Sequence, residues 1–427
     1  MKRLSVALAV CVALLVMGCA QAQQEKTPEQ KGPIPYIWGK AYHILQETTS
    51  DESGYFSLCE GLNGKMYVGT AKYNENAFLV EFDPATEKQR IVIDTNKVCG
   101  LTATGYAAQS KIHTRNFVGP SGIIYVGSKQ GYRRQGDTSE YPGGYVMTYD
   151  PKTDKAECLG MPYPGQGVID TVADEKHGII YVVTCEEQHW VIYDMKAKTY
   201  RDTGLLLTPY ATTLIDRDGC GNALTKDFQL ARYDPATERI TVRSIMLDGK
   251  RLTRKDASSI PIWQVTKDGR TAWLILMNDP TLIEMDLLSP GDTVTAKSHG
   301  KMTEGKGPDC RSALDISPDG RICAIIRVNN ETGFGTGYLH WLCRYDPKKD
   351  KMEQLGVLAV QNPDFFDFGP GPDGKAKPWT HGYHKLPDGT LTPLHCHMAL
   401  IVAHDSTIYV TILYPYTLLR IRLPKGT

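Results

Sequence analysis

The chain has 427 residues, 41% of them hydrophobic, with 48 basic and 48 acidic side chains and a formal net charge of zero. That is ample for a large core, and a neutral chain argues against a general nucleic-acid or membrane-surface binder. Any charge selectivity must come from a local patch.

The first residues read as a targeting segment. Lys2 and Arg3 form a basic start, and Leu4 to Val16 form an apolar run too short to span a membrane as a mature helix. Val16-Met17-Gly18-Cys19 reads as a lipobox with Cys19 as the lipidated residue, and Ala20-Gln21-Ala22 is a rival site for ordinary signal cleavage. The expectation is an exported monomer, periplasmic or at the cell surface, held to the outer membrane by a lipid anchor. Residues 1–19 are the signal peptide, 20–35 a polar tether and 36–427 the folded domain. No later stretch is long and apolar enough to cross a membrane.

From there the chain repeats itself. A strand after a turn reads GKMYVGT from Gly64, GIIYVGS from Gly122 and GIIYVVT from Gly178. It recurs, more worn, after Gly219, Gly269, Gly320 and Ser406. A partner phrase reads FDPATEK at Phe82, YDPKTDK at Tyr149, YDMKAKT at Tyr193, YDPATER at Tyr233, MDL at Met285 and YDPKKDK at Tyr345. Self-similarity of this kind, built of short alternating strands, predicts an all-β, seven-bladed β-propeller of four-stranded antiparallel blades. The last blade supplies strands near His397 to Ala403, Thr407 to Leu413 and Thr417 to Leu423, and then the chain stops. Its fourth strand must come from elsewhere, and Tyr42-His43-Ile44-Leu45 is the donor that closes the ring. An insertion at about 360–394 precedes this blade and carries a Gly-Pro run, aromatics, His381 and His384.

Eleven cysteines in an exported chain raise the question of disulfides. Cys11 and Cys19 lie in the leader, and the other nine are odd in number, scattered and without CxxC. They read as small buried hydrophobes.

Aligning the innermost strands on their turns picks out one level of the central channel. The residue nine before Gly122 is His113, and its equivalents are Tyr55, Ile169, Tyr210, Ile260, Arg311 and His397. Two positions earlier stand Ser53, Lys111, Gly167, Thr208, Ser258, Asp309 and His395. Channel linings are commonly polar because they face water, which accounts for Ser and Thr. It accounts less well for two His, two Tyr and an Arg at one level. Loops on the same face add Lys129, Tyr132, Arg133, Arg134, His189, Lys226 and Arg327. With interleaved Tyr and Trp they suit an anionic sugar polymer, Arg forking a carboxylate or sulfate and aromatic faces stacking on pyranose rings. For any one of these cations a solvated surface role is the plainer reading. His395-Cys396-His397 is a separate signal. On a strand, i and i+2 share a face, so both imidazoles would reach one divalent ion, zinc or calcium, with His384 or His381 as a further ligand. A hydrogen-bonded or catalytic His pair is the other reading. There is no Walker loop, dinucleotide fingerprint, CxxCH or GxSxG, which lowers nucleotide, nicotinamide, haem and serine-esterase readings.

With KIHTRNFVGPSGIIYVGSKQGY and SEYPGGYVMTYDP beside the repeats, the chain resembles exported bacterial propellers of the polysaccharide-lyase type, the ulvan and rhamnose–glucuronate lyases, and the related rhamnosyl-glucuronate hydrolases. The resemblance implies β-elimination on a uronate-containing polysaccharide or oligosaccharide, with His and Tyr as base and acid and Arg neutralising the carboxylate. His113, Tyr210, Arg311 and His397 match those types. The loop Tyr132-Arg133-Arg134 departs from the ulvan-type pattern, which has a second His. Two alternatives stay open: a hydrolase, in which an isolated residue such as His43 acts from the opposite face, and a non-catalytic glycan-binding propeller.

Overall fold

The computed structural model describes residues 28, 32–50, 53–256, 260–311, 313–377, 380–395 and 397–424. The leader, Cys19, Ser258 and Cys396 therefore lie outside the described residues. Among the described residues helix is limited to Thr95–Cys99 and two single 3₁₀ turns, and no helix is long and apolar enough to cross a membrane.

Strand follows strand in antiparallel groups. Ser53–Glu60, Met66–Thr70, Phe78–Asp83 and Lys88–Asp94 form one sheet. The next group has Ile124–Lys129, Val146–Asp150 and Lys155–Gly160, its inner strand broken into Lys111–Ile112 and Phe117–Val118. Gly167–Asp174, Ile179–Cys185, His189–Asp194 and Thr199–Leu206 follow. Then come a group from Leu214–Ile215 to Arg239–Leu247 and a group from Pro261–Val265 to Thr293–Lys301, joined where their outermost strands pair in parallel. The group from Leu314–Ile316 to Lys351–Val360 is joined in the same way to the last, which holds Leu400–Val402, Ile408–Ile412 and Thr417–Ile421. This is a β-propeller. Each group winds outward from an inner strand, and apolar clusters fill the space between one group and the next.

The repeated phrases have a local physical cause. In FDPATEK the Asp83 carboxylate accepts the backbone N–H of Ala85 and Thr86, and Glu87 then turns back in the left-handed region at φ 57°. Asp150, Asp194, Asp234 and Asp346 accept backbone N–H groups in the same way, followed by Asp154, Lys198, Glu238 and Asp350 at φ between 48° and 57°. The side chain replaces a missing backbone partner and sets the hairpin's direction.

The fourth strand of the last group is Tyr36–His43, longer than the segment expected. It pairs antiparallel with Thr417–Ile421, from His43 opposite Thr417 to Gly39 opposite Ile421, and parallel with Lys351–Val360. Glu87 ties it to the first group by accepting from Lys40 Nζ at 2.8 Å and from the Tyr42 hydroxyl at 2.7 Å. An apolar cluster including Ile44, Leu58, Val68, Tyr409 and Leu418 packs the last group on the first. The insertion forms a hairpin, Tyr383–Lys385 with Leu391–Pro393, beside a cluster of Phe365, Phe366, Phe368 and Tyr383.

Candidate functional site

At one mouth of the channel the structure brings Tyr55, His113, Tyr210, Arg311 and His397 together. The Tyr55 ring lies 4.7 Å from His113 and 5.0 Å from His397, and His113 lies 6.1 Å from Tyr210. Arg311 Nη1 donates to His397 Nε2. Tyr55 and Tyr210 hold φ of 53° and 56°, a region that bulky residues occupy only where surrounding structure imposes it. Ile169 and Ile260, at the equivalent level, instead pack into the apolar core.

The left-handed turn at Tyr55 has a further consequence. Pairing of this strand with Met66–Thr70 slips between Ser53 and Leu58, so simple alternation fails there. Phe56 consequently joins the same group, 5.2 Å from His113 and 5.8 Å from Tyr210. Alternation along the strand sends Phe56 to the opposite face and does not find it.

Lys111 is buried among three aromatic rings, 5.1 Å from the centroid of Tyr55, 4.7 Å from Tyr73 and 4.5 Å from Tyr132. Its place two residues before His113 was the signal available in the sequence. Lys129 is also buried, and its Nζ meets Cys185 Sγ at 3.2 Å and Glu186 at 3.3 Å. Asp309 faces two guanidiniums, Arg311 at 3.3 Å and Arg327 at 3.6 Å. Arg327 also lies over Tyr338 at 4.3 Å. Among the described residues, Lys129, Arg311 and Arg327 gather here with Glu186 and Asp309.

Burial first, and then these cations, set the protonation states. Burial, then Lys129, Lys111 and His397, hold His113 well below the ordinary imidazole range. Burial, then Arg311, His395, Arg327 and Lys111, push His397 down to about 3. Both rings are neutral at pH 7. Because Arg311 donates to His397 Nε2, that nitrogen is the acceptor of the ring. Burial raises the Tyr210 hydroxyl, with Lys129 opposing, so it keeps its proton.

The other expected residues sit elsewhere. His189 stacks on Tyr163 at 4.1 Å and lies 3.1 Å from both Glu187 and Asp202, which satisfies it locally. Arg133 donates to the carbonyls of Asp137 and Ser139 in its own loop and stacks on Tyr106 at 4.0 Å. Arg134 and Lys226 are exposed and make no side-chain hydrogen bond or ion pair among the described residues. His43 lies in the outer strand Tyr36–His43 against Phe366 at 5.0 Å, in the last group's outermost layer.

The histidines do not fit the expected metal geometry. His395 and His397 precede the strand Leu400–Val402 rather than lying in a strand, so i and i+2 need not share a face. His395 packs against His381 at 5.6 Å and Tyr414 at 4.7 Å, while His397 turns to Arg311. His384 is half-buried on the insertion's hairpin, and burial lowers its pKa. Among the described residues no three His, Cys, Asp or Glu side chains gather as a metal would require. Burial, then His381, Arg327 and Arg311, lower the His395 pKa to about 4, and the two guanidinium charges repel a cation.

No protein-family model matches the chain, and neither does any curated protein. Among solved structures it is similar to the extracellular domain of a B. thetaiotaomicron protein described as a hybrid two component system, at 10% identity and TM-score 0.53, over 92% of this chain and 40% of that one. Others are the periplasmic gluconolactonase PpgL of Pseudomonas aeruginosa (12% identity, TM-score 0.47, 84% of this chain and 99% of that one) and the β-propeller domain of Myceliophteria thermophila Swd1 (11%, 0.47, 88% and 97%). The chain spans less than half the length of the first of these. At 10% identity that likeness speaks for the fold alone.

Proposed function

We propose that the chain is an exported, lipid-anchored, seven-bladed propeller that cleaves a uronate-containing polysaccharide or oligosaccharide by β-elimination. The blade count rests on the succession of strand groups and on the apolar cluster that packs the last on the first. Export rests on the leader. The chemistry rests on one observation above all. A neutral, buried imidazole, a protonated phenol and a guanidinium meet among the cations Lys129, Arg311 and Arg327.

In this reading Arg311 and the caged Lys111 meet the substrate carboxylate and neutralise it, which makes the C5 proton removable. His113 takes that proton. The C5–H electron pair becomes the C4–C5 double bond, and the C4–O bond breaks. Tyr210 gives its proton to the departing oxygen. His113 is a weak base in the free protein because cations surround it. A bound carboxylate offsets those cations, raising the imidazole toward the range in which a base works well at neutral pH. His397, as acceptor for Arg311, orients the guanidinium. The reading takes no step through a divalent ion.

The test is incubation of the purified protein with a panel of uronate-containing polysaccharides, following ultraviolet absorbance of the unsaturated product together with reducing ends. Both must rise for a lyase. Reducing ends alone mean a hydrolase. Neither, with glycan retarding the protein in a gel, means a binder, a reading that Tyr132 favours by standing 62% exposed over Lys111.

A further inference from the structure

We infer that Cys99 and Cys158 form a redox pair that closes into a disulfide, stapling the end of the first strand group to the outermost strand of the second. The inference is independent of the carbohydrate reading. Eight cysteines are described, and six of them are buried. Cys99 and Cys158 are the two half-exposed ones, and they face each other.

Two unrelated elements bring them together. Cys99 ends the helix Thr95–Cys99, which follows directly from the strand Lys88–Asp94. Asp94 caps that helix by accepting from Lys97 N–H, and Gly100 stops it in the left-handed region at φ 65°. Cys158 lies in Lys155–Gly160, where the pairing is bulged between Cys158 and Gly160. The helix packs on this strand. That packing sets the two thiols within interacting range of each other, with Tyr145 and Tyr200 beside both.

The contact suits thiol chemistry. The Cys99 S–H, followed by the Gly160 N–H, supports a thiolate on Cys158, against burial. The Cys99 thiol is pushed up by the same interaction and by burial. The thiolate is the nucleophile in exchange, so Cys158 is the attacking thiol and Cys99 the resolving one. Its thiolate attacks one sulfur of a small disulfide such as oxidised glutathione and expels one glutathione thiolate. Cys99 gives its proton to solvent and attacks the Cys158 sulfur of the mixed disulfide, expelling the second. Two protein thiols become one disulfide while one oxidant disulfide becomes two thiols.

The experiment uses the full chain, reduced and then freed of reductant, incubated with excess oxidised glutathione, quenched with acid and alkylated. Intact mass and a non-reducing peptide map are read together, with the six buried cysteines as an internal reference. The expected result is joint loss of two alkylation sites, one linked peptide pair containing Cys99 and Cys158, and a higher melting temperature than the reduced protein. In Cys99→Ser, Cys158 should stop at the glutathione adduct. Full alkylation of both thiols in the folded oxidised sample would overturn the pair. So would linkage of either to a third cysteine, or a melting temperature that does not rise on oxidation.

Discussion

Replacing His397 by Gln tests whether the guanidinium truly holds this ring neutral. Gln keeps an oxygen to accept from Arg311 Nη1 but removes the titration. The folded pKa is about 3, against 6.5 for the free side chain, because of burial and then Arg311. Below pH 6.5 the unfolded chain takes a proton that the folded protein refuses. The stabilising contribution is therefore whole above that pH and is lost as pH falls toward 3. Between pH 7 and pH 5, linkage gives a loss of about 2 kcal/mol from this one residue. The figure barely depends on the folded value, provided that value lies well below 5. Urea unfolding of both proteins at pH 7 and pH 5 supplies the double difference. It cancels other titrating groups, including Asp170 and Asp315, whose pKa values burial raises to about 7 and about 6 and which act in the opposite direction. The variant should lose about 2 kcal/mol less than the parent over this interval. Equal losses would refute the burial-and-guanidinium account of His397.

On a uronate substrate, His113→Gln should lower kcat by roughly 10²–10⁴-fold while leaving glycan retention in a gel unchanged, because a base acts in the transition state. Unchanged kcat would remove the base assignment. Arg311→Ala should raise KM and lower kcat together, and Arg311→Lys should restore only part, since a point charge lacks the planar fork that meets both His397 and Asp309. Deleting Tyr36–His43 should abolish soluble monomer in gel filtration, because it bares the edges of Thr417–Ile421 and Lys351–Val360. A monomeric, cooperatively melting deletion protein would show that closure by this strand is dispensable.

Much of this was legible in the chain because turns are local. Glycine after a hairpin and Asp two residues before a backbone N–H act within a few residues, so their period survives as text. The N-terminal donor was legible for a topological reason, the absence of a fourth strand after Thr417–Ile421. Counting back from the turns also found Tyr55, His113, Tyr210, Arg311 and His397, because each stands at the same spacing before its turn. What escaped depends on departures from regular backbone or on distant partners. Phe56 enters through the left-handed residue before it. His395 and His397 leave the strand on which a shared face was assumed. Lys129 and His189 were read as loop residues of a substrate-binding face, but Glu186, Glu187 and Asp202 engage them, and nothing in a loop's composition says which carboxylate it will meet. Cys99 and Cys158 looked like scattered hydrophobes because their meeting needs a helix and a strand of different groups.

The polar lining of a channel needs no function to explain it, so the mouth has to be weighed against the rest of the same channel. Two residues beyond His113, Arg115 is half-buried and donates to the Trp263 carbonyl at 2.9 Å. Asp170 and Asp315 attend it from two other strands. Asp170 accepts from Thr213 N–H and Asp315 from Val402 N–H, both at 2.8 Å. That layer is a structural solution: one cation flanked by carboxylates that themselves brace the neighbouring inner strands. The mouth is built on the opposite plan. Among the described residues Lys129, Arg311 and Arg327 share two carboxylates there, two backbones are held in the left-handed region, and two imidazoles are kept neutral at a cost in acid stability. A scaffold optimised for stability alone would have repeated the Arg115 arrangement at this level.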